Sequence, residues 1–149
     1  MNRSTGWVGI LRKHSLSIAS ISILLLWIIL YVVSDPDTHL GSFFGNAIAD
    51  WSGLVVMVLA TKYLYEKGSK ESRKPPKGAG TLSTLQIALR NHSLTIFLIV
   101  TGVMWVALFA HMAPNGKWGQ VVGNIVSEWT QIFGVVLLTK KLIEVKSKE

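Results

Sequence analysis

The sequence predicts an all-α polytopic membrane protein with four transmembrane helices arranged as two hairpins. Three observations predict it. Half of the 149 residues are hydrophobic and only 15% are charged, where a soluble domain carries about a quarter charged residues. Four apolar runs are each near the roughly 20 residues that cross a hydrocarbon core. The chain also aligns with itself without a gap at a shift of 78 residues, and 23 of the 61 positions from Leu11 to Glu71 are identical.

The first element is a short lead-in carrying Arg3, Arg12 and Lys13. Trp7, Val8, Ile10 and Leu11 fit one helical face, which suits a segment lying at the membrane interface. An extra turn on the following span explains the same pattern. The first span runs from about Leu16 to Val33. It is longer than a signal-peptide core, and no small-x-small cleavage site follows it. A short turn at Asp35-Pro36-Asp37 leads to the second span, about Phe43 to Leu64. In hydrocarbon the backbone must satisfy its own hydrogen bonds, so the spans are expected to be helices.

Residues 1–66 thus form a first hairpin, 67–83 a linker and 84–149 a second hairpin. The linker is basic and holds Pro75, Pro76, Gly78 and Gly80, which break regular structure. The second lead-in has Leu82, Leu85 and Leu89 before Arg90, and the remaining spans run from about Leu94 to Met112 and Val121 to Leu142. Both copies have the same orientation because each contains two helices. Parallel repeats of this kind are related by an axis along the membrane normal. A four-helix bundle with a pseudo-two-fold axis is expected.

Lys and Arg concentrate in the N-terminal segment, the linker and the tail, whereas the two hairpin turns hold only Lys117. The positive-inside rule places both termini and the linker in the cytoplasm. The basic linker could meet anionic headgroups, although topology alone explains its charge. The sequence pI near 9.9 does not point to nucleic acid, because the bases flank the apolar runs. The chain has no cysteine, which excludes disulfides and thiolate metal sites.

The polar residues inside the spans carry the functional question. In the second helix of each hairpin, Gly41, Gly45 and Ala49 are four apart, as are Gly119, Gly123 and Ser127. Small residues at this spacing let helices approach closely, so both sets are expected to be packing ridges. Asn46 and Asp50 lie one turn apart beside the first ridge, and Asn124 and Glu128 match them. The acids lie roughly 12 to 14 Å along the axis from the first glycine of each ridge. A charge there costs at least a few kcal/mol, so such residues normally face protein or water. If Asp50 and Glu128 turn toward the axis, the pair is expected to hold a proton or a cation. Two other readings stand beside this one: protonated acids that merely bond helices, and a wet groove or partner contact. Trp27 and Trp105 occur at similar depth, and their indole N–H groups could donate to the acids.

His14 and His92 match and precede the first span of each copy, where headgroup contact is expected. His39 and His111 have no histidine counterparts, and with Asp35 and Asp37 they offer only a weak case for a surface metal site. Trp7, Tyr31 and Trp118 suit an interfacial belt. No nucleophile elbow, phosphate loop, metalloprotease helix or dinucleotide fingerprint occurs, so no enzyme activity, cofactor or resident metal is expected.

LRKHSLSI opening a span, the Asn-x-x-x-acid-aromatic step and KYLYEKGSKES together resemble a family of uncharacterised bacterial membrane proteins built from two similar hairpins. In that family each hairpin carries an Asn followed four residues later by Glu and exits through a basic-Gly-Ser-x-Glu-Ser stretch. Asn46 and Asp50, and Asn124 and Glu128, would take those places. Lys67-Gly68-Ser69-Lys70-Glu71-Ser72 corresponds to the exit stretch, whereas the second copy ends in VKSKE. The first hairpin turn is also shorter here than in the family. The resemblance implies a bacterial inner membrane location and supplies no activity.

The expected function is the movement or gating of a small cation or protons, with Asp50 and Glu128 as ion-handling acids. The alternative is a scaffold or accessory subunit of a larger membrane complex. Four helices leave little room for a pore, so self-association or a partner is expected.

Overall fold

The fold is seen in a computed structural model that describes residues 9, 11–12, 14–69, 74, 83–113, 115–140 and 142. Five helices account for most of these residues: α1 (Ser15–Val33), α2 (His39–Tyr63), α3 (Thr84–Asn91), α4 (Ser93–His111) and α5 (Lys117–Leu138). The described residues contain no β-strand, only an isolated bridge between Glu66 and His92. α1, α2, α4 and α5 are long and apolar enough to cross a membrane. The chain is a small membrane protein with four such helices.

Helix boundaries follow from local chemistry. α1 stops before Pro36, which has no N–H to continue the ladder. The Asp35 carboxylate accepts from the Asp37 N–H at 3.0 Å, and Thr38 then caps α2 by accepting from the Gly41 N–H at 3.1 Å. This cap starts α2 four residues earlier than hydropathy alone suggests. Gly41 is also where the turn folds back. A Cβ there would lie 1.9 Å from the Asp35 carbonyl oxygen. Gly41 therefore serves the turn as well as the helix face.

The lead-in of the second hairpin is a helix of its own. Ser83 and Gln86 form a reciprocal capping box at the start of α3, and the helix breaks at His92 (φ −123°, ψ 24°). His14, the matched residue, has nearly the same backbone (φ −118°, ψ 16°). Gly9, Leu11 and Arg12 are helical before it, while Trp7, Val8 and Ile10 lie outside the described residues. The separate helix favours the interfacial reading over an extra turn, and Leu85 and Leu89 leave its apolar face uncovered. Most of the 67–83 linker and residues 143–149 also lie outside the described residues.

The packing order differs from the chain order. α1 packs on α2, α2 on α5, and α5 on α4, so the second helices of the two hairpins lie at the centre. Ala49, Val121, Ile125, Ile132 and Val136 are buried along this seam. Between lipid-facing helices there is no hydrophobic drive, so close van der Waals contact holds them. Matched residues make matched contacts. A Cβ on Gly45 would lie 3.2 Å from the Tyr31 ring, and one on Gly123 would lie 3.0 Å from the Phe109 ring. In each hairpin an aromatic side chain of the first helix lies over a glycine of the second. Tyr31 is thereby a core residue at 2% exposure, edge-on to Trp118 at 5.1 Å, and not a belt residue.

Candidate functional site

α2 and α5 meet at two asparagines. The Asn124 side-chain N–H donates to the Asn46 carbonyl at 2.5 Å. These residues are 78 apart and are each other's repeat equivalents. The second helices of the two hairpins therefore touch at matched sequence positions.

A polar cavity of about 160 Å³ opens beside the bond, lined by Asn46, Asp50, Asn124, Ser127 and Glu128. The four residues expected from the duplicated motif are therefore brought to one place. Ser127 belongs to the cavity wall and is exposed, so it does not continue the buried ridge of Gly119. Gly45, Ala49 and Gly119 are buried, and Gly123 is half-buried beneath Phe109.

The two acids have different surroundings. Glu128 is half-buried, accepts from the Gln131 side-chain N–H at 3.2 Å, and reaches across to α2. Its Oε2 would be 3.3 Å from a Cβ on Gly53, so the glycine leaves room for the carboxylate. Gln131 is the repeat equivalent of Gly53. One copy thus offers a donor where the other offers space. Asp50 is exposed.

The tryptophans serve packing. Trp27 stacks on Phe44 at 6.0 Å and meets Phe43 edge-on at 5.7 Å, and its indole N–H is buried without a hydrogen-bond partner. The expected bond from Trp27 to a carboxylate is not made. Apolar rings surround it instead. Trp105 packs edge-on against Trp129 at 5.8 Å, and Trp129 donates to the Thr101 hydroxyl at 2.8 Å.

A second polar cluster lies at the linker end of the helices. Glu66, fully buried, accepts from Lys140 Nζ at 2.5 Å, contacts His92 Nδ1 at 2.6 Å, and accepts from the Thr95 N–H at 3.0 Å. Burial alone would raise its carboxyl pKa. The bonds from Lys140, His92 and Thr95 outweigh burial and hold it below the ordinary carboxylate range. Backbone bonds stitch the same junction, from the Lys67 N–H to the Asn91 carbonyl at 2.7 Å and from the Leu94 N–H to the Tyr65 carbonyl at 3.2 Å. On the other side, Lys62 Nζ lies 2.6 Å from His14 Nδ1. Both histidines, expected at headgroups, take part in contacts at the helix ends. Glu66, Lys62 and His14 recur as Glu144, Lys140 and His92 at the repeat spacing. That recurrence was the available signal.

At the turn end, Lys117 caps α1, donating to the Val32 carbonyl at 3.1 Å and the Ser34 carbonyl at 2.6 Å. The Tyr31 hydroxyl donates to the Lys117 carbonyl. α5 is thus tied at both ends, to α1 at the turn end and to Glu66 at the linker end, and the polar cavity lies between the ties. Among the described residues no group of three His, Asp or Glu side chains is arranged to hold a metal ion.

Comparison with protein-family models, with curated proteins and with solved structures found no match to this chain.

Proposed function

We propose that this membrane protein binds and passes a small cation or protons at the cavity formed by Asn46, Asp50, Asn124 and Glu128. One observation carries the reading: two acids and two amides from matched positions share one cavity midway along apolar helices. Carboxyls at such depth are costly unless protein, water, a proton or a cation satisfies them. Two carboxylates bordering one small space also repel, which favours a shared proton or a bound cation. Asn46 and Asn124 hold the helices in register and present amide groups to the same space. The proposed setting is a bacterial inner membrane, with the basic linker and both termini on the cytoplasmic side against anionic headgroups.

The test is cation and proton flux in liposomes for the wild type and for Asp50→Asn combined with Glu128→Gln. The reading expects flux that the double substitution abolishes. Absent wild-type flux, or flux unchanged in the double variant, would sink it.

The Asn46–Asn124 bond also favours a second reading, a scaffold or accessory subunit in which the polar groups only join helices. That role predicts copurification with a larger membrane complex. It also predicts that the double substitution impairs folding.

A further inference from the structure

The polar groups do not stop at the cavity. On α2 they form the series Ser42, Asn46 and Asp50, and on α5 the series Gln120, Asn124, Glu128 and Gln131. Spacings of three and four residues keep each series on one helix face. Ser42, Asn46, Asp50, Gln120 and Gln131 are exposed, and Asn124 and Glu128 are half-buried. The two series are neighbours because Asn46 and Asn124 touch. The seam between α2 and α5 therefore carries an uncovered polar stripe from the turn end to mid-helix. Beyond the acids the same side turns apolar, with Leu54, Val135 and Leu138 each more than 40% exposed.

Hydrocarbon is a poor neighbour for such a stripe. Intramembrane carboxyls and amides normally face protein or a water-filled space. α1 and α4 flank the central pair and leave the stripe open. We infer that a second copy of this chain covers the stripe, seated by a two-fold rotation about the membrane normal.

The chemistry of the stripe suits this partner. Its two halves match in depth: Ser42 with Gln120, Asn46 with Asn124, and Asp50 with Glu128. A rotated copy meets each layer with the same layer. The Asn124–Asn46 bond uses one N–H and one carbonyl lone pair, so both amides have further donors and acceptors to offer. Leu54, Val135 and Leu138 would pack against their copies at the linker half. Symmetric self-pairing of one patch is the commonest mode of oligomer formation.

In the pair, α2 and α5 of both copies surround one axis. Their carboxyls form a ring of four acids at one depth, below a ring of four asparagines. Rings of acids are a recurrent device of cation pathways. The inference rests on the cation reading above and supplies what a lone chain lacks, walls on both sides of the path.

Cysteine cross-linking tests it, because the chain has no cysteine of its own. Ser42→Cys and Gln120→Cys are introduced in separate chains, which are mixed and oxidised in liposomes. A covalent dimer is expected, and Met104→Cys on the lipid-facing side of α4 should remain monomeric. Counting bleaching steps of singly labelled wild-type chains, at high lipid dilution, should give two steps. Monomers in the mixed stripe variants together with single-step bleaching would overturn the pairing. So would equal cross-linking at Met104. Flux separates the two ideas: a dimer without wild-type flux leaves the pairing intact and removes the cation role. Flux from a chain that stays monomeric does the reverse.

Discussion

Glu66 and the Asp50–Glu128 pair are carboxylates in opposite circumstances. Glu66 is fully buried at a helix end and has a lysine, a histidine and a backbone N–H on its oxygens. Asp50 is exposed midway along a span, and Glu128 has the Gln131 amide. The first acid is saturated and ties α2, the α3–α4 junction and α5 together. The second pair has capacity to spare in a place where spare capacity is costly. The difference separates an acid that builds the fold from acids available to bind something.

The largest expected effect follows from the saturated acid. Glu66→Ala leaves Lys140 and His92, both partly exposed, without their anion, and hydrogen bonds to charged groups contribute about 1.5 to 3 kcal/mol each. Denaturation in detergent should show a loss of that order. A loss below about 1 kcal/mol, the range of exposed pairs, would mean that the junction is held by its backbone stitches alone.

Next comes the packing that both hairpins share. Gly123→Leu forces a side chain into the Phe109 ring, already 3.0 Å from where a Cβ would be. Overpacking of this kind costs about 1 to 3 kcal/mol. Gly134→Ala, with nothing within 4 Å of the added Cβ, should cost nothing, and helix propensity favours it. The pair of variants, compared by the same denaturation assay, separates steric fit from a general intolerance of larger residues in α5.

The pH response is smaller and one-sided. The Glu66 carboxyl titrates lower in the folded chain than its unfolded value, about 4.3. Its contribution is therefore complete above that value and is lost as pH falls through the lower, folded one. Wild-type stability should decline below about pH 4 more steeply than that of Glu66→Gln. Equal slopes would place the acid response elsewhere.

These two regions also differ in how far the sequence revealed them. Hydropathy located the four spans, because apolar runs of that length have one solution in lipid. It misplaced their ends by a few residues, since Thr38 starts α2 through a side-chain cap and α5 stops at Leu138 ahead of Lys140's bond to Glu66. The cavity residues were legible because a polar residue within an apolar run is conspicuous. Glu66, Lys140 and His92 were not, because polar residues at span ends are ordinary and pairing across 26 and 74 residues is a tertiary fact. Gly53 was silent for another reason: its role is the space it leaves for the Glu128 carboxylate.

Within the cavity, Asn124→Ala removes the amide bond between α2 and α5. Hydrogen bonds between membrane helices average about 0.6 kcal/mol, so the stability change should be near that size. A loss several times larger would make the asparagine pair the main tie between hairpins and would favour the scaffold role.

The smallest stability effect belongs to Asp50→Asn, and it bears most directly on the contrast between the acids. The substitution keeps the shape and removes the charge. An exposed carboxyl among apolar helices has no bond in the fold whose loss would cost stability, and neutralising it lowers the cost of its depth. The variant should be as stable as the wild type or slightly more so. It should also change cation or proton flux in the liposome assay. Stability falling as far as in Glu66→Ala would show that Asp50 is a second structural acid, and the distinction between the two regions would fail. Stability preserved with flux altered is the pattern of a residue kept for what it binds, at some expense to the helix that carries it.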